Sequence, residues 1–423
     1  METAIIKGLL TVKVNMYQLM ALGVIAYYLG VWARNQIPAL VRFSIPAPVV
    51  GGLPFAIIVA ILEHNKILGF EFNGTLQTAL MIMFFCTIGM NASITLLKKG
   101  TMLIMAFFAI ATVGAVLQNI LGMGVAEFFG IDPRLGIIGG AVTLTGGLGT
   151  AGAFGPIFEN ELGVKGAAAA GIACATFGMI AGSMTGGPMA EWLIKRNGLK
   201  TPKDADYVPA AGFEVEVADE DDRMSPKDLL NNLAWVLVAI GIGSIFSYYV
   251  VVFFKSIGSN QSFPAYLGAM FAAIIIRNVG DISGKFKIDS KIIDSISDIS
   301  LAVFISMAIV SMKLAQLINL AGPLITMMIL QLIFVLLMAY FMVYLLFGKD
   351  YEATVISAGF IGFMMGATSN ALVSMQAVSS KYGYAAKAYF IVPIVGAFLI
   401  DIPNAFIINY MASAKWVLAI FGM

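Results

Sequence analysis

Long apolar runs separated by short polar breaks dominate the chain. In lipid every backbone amide must find its partner within its own segment, so about 20 mainly apolar residues are needed for each spanning helix. By that rule the first half predicts spans at 15–33, 44–62, 76–92, 101–128 and 167–194. The second half predicts them at 229–254, 263–278, 298–317, 322–347 and 386–413. Between the halves lies a polar stretch, 195–228, whose acidic run from Glu214 to Asp222 reads as a solvated linker. Two further segments, 135–158 and 353–377, are long enough to cross but are broken by glycine and small polar residues at their centres, and are expected to be re-entrant hairpins.

Composition agrees with a membrane setting. Hydrophobic residues make up 60% of the chain and charged residues 12%, whereas a soluble domain carries about 25% charged. The net charge of +1 offers no basic footprint, so nucleic acid is not an expected partner. Cys86 and Cys174 both lie in apolar stretches and read as small buried hydrophobes. One histidine, His64, cannot build a histidine-based metal or catalytic cluster. Lys and Arg are biased toward one side: 17 of the 25, among them Arg34, Lys98, Lys99, Lys195, Arg196, Arg277, Lys285 and Lys287, share the side of the linker, against Lys7, Lys13, Lys66, Arg134, Lys165, Lys255, Lys313 and Lys415 on the other. The positive-inside rule therefore puts the linker in the cytoplasm. Glu127, Glu159, Arg277 and Lys313 fall near segment ends and read as interfacial, Lys313 by snorkelling.

The halves match at a nearly constant offset. Pro48 and Gly52 pair with Pro264 and Gly268, Gly140 and Gly147 with Gly359 and Gly366, and Gly178 with Gly396. An odd number of spans in each unit would turn the second copy upside down, the inverted-repeat plan of secondary transporters. A general use of small residues in helix packing is the rival account. The expected fold is an all-α integral membrane protein with ten transmembrane helices plus two re-entrant hairpins in two inverted-topology repeats. Its parts are an N-terminal repeat (1–194), a cytoplasmic linker (195–228) and a C-terminal repeat (229–423).

Candidate chemistry lies in the breaks. Gly146, Gly147 and Gly149, flanked by Thr145 and Thr150, free backbone from helix in the first hairpin. Gly366, Thr368, Ser369 and Asn370 do so in the second. Free N–H groups at half-helix starts suit a carboxylate, and exposed oxygens suit Na⁺; packing turns are the alternative. Asp401, mid-span in FLIDIPNAF, costs about 2.5–3.5 kcal/mol on insertion scales and should face a cavity or a partner. Pro403 is expected to break its helix. Asp401 and Asn404 form a candidate Na⁺ site, joined at the matching position of the first half by Ser183 and Thr185, beside a similar expected break at Gly186, Gly187 and Pro188.

The segments TLTGGLGTAGAFG (143–155), CATFGMIAGSMTGGPMAEWL (174–193), DISLAVFISMAI (298–309), AGFIGFMMGATSNALVSMQAV (358–378) and VPIVGAFLIDIPNAFII (392–408) make the chain resemble the bacterial glutamate:sodium symporter family over most of its length. The resemblance implies Na⁺-coupled uptake of L-glutamate by alternating access, Na⁺ as coupling ion with no organic cofactor, a multi-pass location in the bacterial inner membrane, and a homodimer. It also implies that Gly146, Gly147, Gly149 and Gly366, with Thr150 and Thr368, are pore-loop residues. Relatives often carry His where this chain has Leu148 and Pro where it has Ser369, which touches substrate selection. Another di- or hydroxycarboxylate stays open, since no Arg in the spans demands glutamate. An ion channel is a further rival, because re-entrant loops also build filters. An intramembrane protease is disfavoured, as Asp401 has no mid-span acidic partner and there is no GxSG motif, so the chain reads as a transporter rather than an enzyme.

Overall fold

The computed structural model describes residues 2–6, 9–42, 45–93, 102–203, 225–256 and 263–422. The acidic run from Glu214 to Asp222 lies outside the described residues. Short helices at Pro38–Arg42 and Lys415–Ile420 aside, the α-helices in chain order are α1 (Met16–Gln36), α2 (Ala47–His64), α3 (Thr75–Asn91), α4 (Met102–Phe128), α5 (Pro133–Ile137), α6 (Gly147–Asn160), α7 (Ala167–Asn197) and α8 (Pro226–Ser256). They continue as α9 (Ala265–Ser283), α10 (Ser290–Val310), α11 (Ala321–Met338), α12 (Tyr351–Met364), α13 (Thr368–Tyr382), α14 (Ala386–Ile394) and α15 (Asp401–Ser413). Among the described residues eight helices are long and apolar enough to cross a bilayer: α1, α2, α4, α7, α8, α9, α10 and α11 with its π-helical extension to Tyr344. Of the two other expected spans, one is the shorter α3 and the other is the interrupted run α14–α15.

Local chemistry explains where these helices begin and end. Asn15 caps α1 in a capping box, its side chain accepting from the Tyr17 and Gln18 amides while Gln18 Oε1 accepts from the Asn15 amide at 3.0 Å. Gly284, in the left-handed region at φ +63°, stops α9. The span expected at 298–317 instead begins at Ser290 and ends at Val310. Asp289 caps it, accepting from the Lys291 amide, and the helix carries Asp294 and Asp298. A small three-stranded sheet is added to the helices. Strand β1 (Glu2–Ile6) runs antiparallel to β2 (Leu9–Val14), which pairs in parallel with β3 (Gly69–Phe72) in the register Thr11 to Gly69.

The chain forms two compact units. The first comprises residues 1–91, 148–176 and 230–324. In it Cys86, Met90, Val236, Ala239, Ala269 and Ile293 make one apolar cluster, and Val14, Leu19, Ala26, Met307 and Val310 make another beneath the sheet. Both Cys86 and Cys174 are buried. Along α8, Leu230, Ile245, Tyr248, Tyr249 and Phe253 stay exposed, as a helix solvated by lipid requires. Arg277 is buried, and its guanidinium pairs with Asp281 at 3.1 Å and donates to Ile288 O and Ser290 Oγ. The second unit comprises 92–147, 177–229 and 325–423. Its core includes Phe107, packed edge-on against Phe347 and Phe360.

Candidate functional site

Both glycine-rich segments fold as helix, break, helix. In the first, Asp132 caps α5, accepting from the Arg134 amide and holding its guanidinium at 2.6 Å. The chain then passes through a π-helical turn at Ile138–Val142, leaves helical geometry at Gly140, turns through 143–146 and re-enters helix at Gly147. In the second, α12 ends at Met364 and α13 starts at Thr368.

Within the second unit the two breaks meet. Gly147 has φ +65°, a conformation that a residue with a Cβ adopts only at a cost, and a Cβ there would collide with the carbonyl oxygen of Gly366. Asn370 Nδ2 donates to Met179 O on α7 at 2.8 Å, pinning the start of α13. Gly396, in the π-helical turn Val395–Leu399 between α14 and α15, packs against the Thr368 hydroxyl. One helical turn beyond Asp401, Asn404 Nδ2 donates to Ala141 O in the first break at 3.1 Å. The interrupted last helix thus touches both breaks, at Gly396 and at Asn404, and the half-buried Asp401 sits between those two contacts. Pro403 falls in the first turn of α15, and the interruption lies just upstream, in the π-helical turn that ends four residues before it.

Other candidates are placed differently. Ser183 and Thr185 lie on α7, which continues unbroken through Gly186, Gly187 and Pro188; their hydroxyls donate to Met179 O and Ala181 O, each four residues back. Gly149 and Thr150 belong to the first unit, where Gly149 is packed under Phe84 and Leu301, so it serves close helix packing. Ser369 is exposed, while Thr145 and Gly366 are buried and Gly146 is half-buried.

Four amide side chains surround the first break, and three of them, Gln118, Asn119 and Gln331, were not anticipated from sequence. Gln118 and Asn119 on α4, Gln331 on α11 and Asn404 on α15 are each at most 1% exposed. Thr145 Oγ1 donates to Gln118 Oε1 at 2.6 Å, and Gln118 Nε2 donates to Met364 O at 2.8 Å, so one side chain ties the two breaks together. Asn119 Oδ1 accepts from the Ala141 amide at 2.8 Å, and its Nδ2 faces Met411 Sδ. Gln331 Nε2 donates to Gln118 O at 2.7 Å. The oxygens Gln331 Oε1 and Asn404 Oδ1 are buried with no hydrogen-bond donor among the described residues. A buried polar atom left in that state costs about 1–3 kcal/mol. Hydropathy alone hides these amides, since one or two in an apolar helix scarcely dent its average. The signal available was chemical: an amide inside a spanning helix seeks partners across helices.

In the first unit a hollow of about 320 Å³ is lined by Glu71, Gln77, Thr78, Glu159, Asn160, Ser311 and Lys313. Glu159 there accepts from the Ala168 amide at 3.2 Å. The hollow mixes both signs of charge and, of the positions singled out in the sequence, it includes only Glu159 and Lys313.

Comparison with known proteins adds two findings. The family model described as sodium/glutamate symporter matches residues 12–384. The sodium/glutamate symporter of Haemophilus influenzae is 35% identical over 405 residues, 95% of this chain and 98% of the relative. That of Escherichia coli is 33% identical over 378 residues, 89% of this chain and 92% of the relative, and that of Shigella flexneri matches to the same degree.

Proposed function

The chain belongs to the sodium/glutamate symporter family, and from that premise we propose that it takes up L-glutamate by Na⁺-coupled secondary active transport across the bacterial inner membrane. The observation that carries the proposal is the meeting of the two helix breaks at Gly147 and Gly366, with the interrupted last helix and Asp401 beside them. Broken helices offer what ion-coupled uptake of an amino acid needs: half-helix N-termini for carboxylates and unwound carbonyls for cations. In this reading the breaks are re-entrant hairpins, α3 and α14–α15 complete ten spans, and the halves on either side of 195–228 are inverted repeats. L-Glutamate carboxylates are held by the backbone amides and hydroxyls of Thr145, Gly146, Gly147, Gly366, Thr368, Ser369 and Asn370. Na⁺ is held near Asp401 and Asn404, with Ser183 and Thr185 contributing hydroxyl oxygens.

Cation binding at Asp401 neutralises the carboxylate, so that glutamate, with its own net charge of −1, enters a site no longer repelling it. Motion of the hairpin-bearing elements then exposes the site alternately to each side. The functional protein is a homodimer in this proposal. The test is labelled L-glutamate accumulation in proteoliposomes with and without an inward Na⁺ gradient, alongside Asp401→Asn. Concentrative uptake that needs Na⁺ and is lost in Asp401→Asn is the expected result. Uptake indifferent to Na⁺ overturns the coupling, and competition by unlabelled di- and hydroxycarboxylates identifies the substrate if glutamate does not accumulate.

A further inference from the structure

The amide cluster around the first break is asymmetric in a way that identifies a ligand. All four side-chain nitrogens are engaged, and the oxygens of Gln118 and Asn119 have donors, yet Gln331 Oε1 and Asn404 Oδ1 do not. Their orientation is fixed by the nitrogens: turning either amide over would set its oxygen against a carbonyl oxygen, of Gln118 or of Ala141. The two side chains are anchored close together, because Gly140 packs against Gln118 O and Ala141 is the next residue. Both oxygens are hard and uncharged, and both are sealed from solvent.

We propose that Gln331 Oε1 and Asn404 Oδ1 are ligands of a dehydrated Na⁺ ion held against the Gly140–Ala141 turn, with Gln118 and Asn119 as positioning residues. An anion would meet two carbonyl dipoles negative end first. A divalent cation would find no carboxylate among the four amides to balance its second charge, whereas neutral oxygens suit a monovalent hard cation. Asn404, one turn from Asp401, links this position to the carboxylate. Asn119 fixes the turn through the Ala141 amide, and Gln118 fixes it through Thr145, so the cation position and both breaks share one hydrogen-bond network. The inference rests on the Na⁺-coupled reading above.

The test uses the full-length protein with Gln331→Met and Asn404→Leu, each measured twice. Thermal unfolding in detergent is followed as Na⁺ replaces choline at constant ionic strength, and the Na⁺ concentration giving half-maximal glutamate uptake is measured in proteoliposomes. Wild type is expected to gain thermal stability from Na⁺. The variants should lose that gain while unfolding in choline near the wild-type temperature, and should need at least about tenfold more Na⁺ for uptake. A wild-type Na⁺ response in both variants overturns the site and leaves the transporter reading standing. A wild type that neither responds to Na⁺ nor uses it for uptake overturns both. If the apolar variants do not fold, Asn404→Ser, which keeps an oxygen at shorter reach, decides: a raised Na⁺ requirement with unchanged glutamate KM at saturating Na⁺ supports the site, and an unchanged requirement overturns it.

Discussion

At Gly147 two independent costs coincide, and neither is visible from hydropathy. Alanine there would have to hold φ +65°, at about 1–2 kcal/mol for the left-handed region, and would drive its Cβ into the Gly366 carbonyl oxygen. Gly147→Ala should therefore lower the melting temperature in detergent and abolish uptake. Gly187→Ala, whose Cβ would meet only Ala377 at an ordinary 3.6 Å, should leave both near wild type. Thr145 acts through its hydroxyl, which donates to Gln118 Oε1 at 2.6 Å. Thr145→Val keeps the shape but strands a buried oxygen, so a stability loss of about 1–3 kcal/mol is expected, with weaker glutamate uptake. Thr145→Ser should restore both, and a Val variant as stable as wild type would dismiss the hydroxyl's role.

Among the elements, α12 leads into the second break, and its start depends on one side chain: Asp350 accepts from the Ala353 amide at 2.7 Å. Asp350→Ala should cost about 0.5–2 kcal/mol of stability, and Asp350→Asn much less, because an amide oxygen also caps. Unfolding midpoints of the two variants check this. The helix–break–helix segments were legible because glycine density inside an apolar run has few explanations, and Asp401 stood out because a mid-span charge is costly. The amides Gln118, Asn119 and Gln331 were missed because a search for charges and glycines passes over neutral side chains, which in lipid have equal need of partners. α10 begins at Ser290 rather than at 298 because Asp289 caps a helix that carries Asp294 ahead of the apolar run. The β1–β2–β3 sheet was missed for a different reason: β2 pairs with β3 across the whole of α1 and α2, a partnership that a local apolar pattern cannot announce.

At the scale of the molecule, each half of the chain supplies its first three long helices, α1–α3 and α8–α10, to one compact unit, and its next, α4 or α11, to the other. No linear reading yields that grouping, since it depends on which segments pack rather than on their order. The energetics of transport are set by charge. In the proposed cycle glutamate brings −1, and a cation at Asp401 together with one among the neutral amides brings +2, so each cycle carries one net positive charge across. Moving that charge through 100 mV is worth about 2.3 kcal/mol, and at about 1.4 kcal/mol per factor of ten this is roughly a fiftyfold change in accumulation. In proteoliposomes clamped by a K⁺ diffusion potential, a negative interior should therefore raise glutamate accumulation strongly at a fixed Na⁺ gradient, and uptake should rise with Na⁺ more steeply than a single-site curve. Gln331→Met should flatten that curve toward one site, and accumulation indifferent to potential would mean that only one Na⁺ travels with each glutamate, leaving the amide cluster without a transported ion.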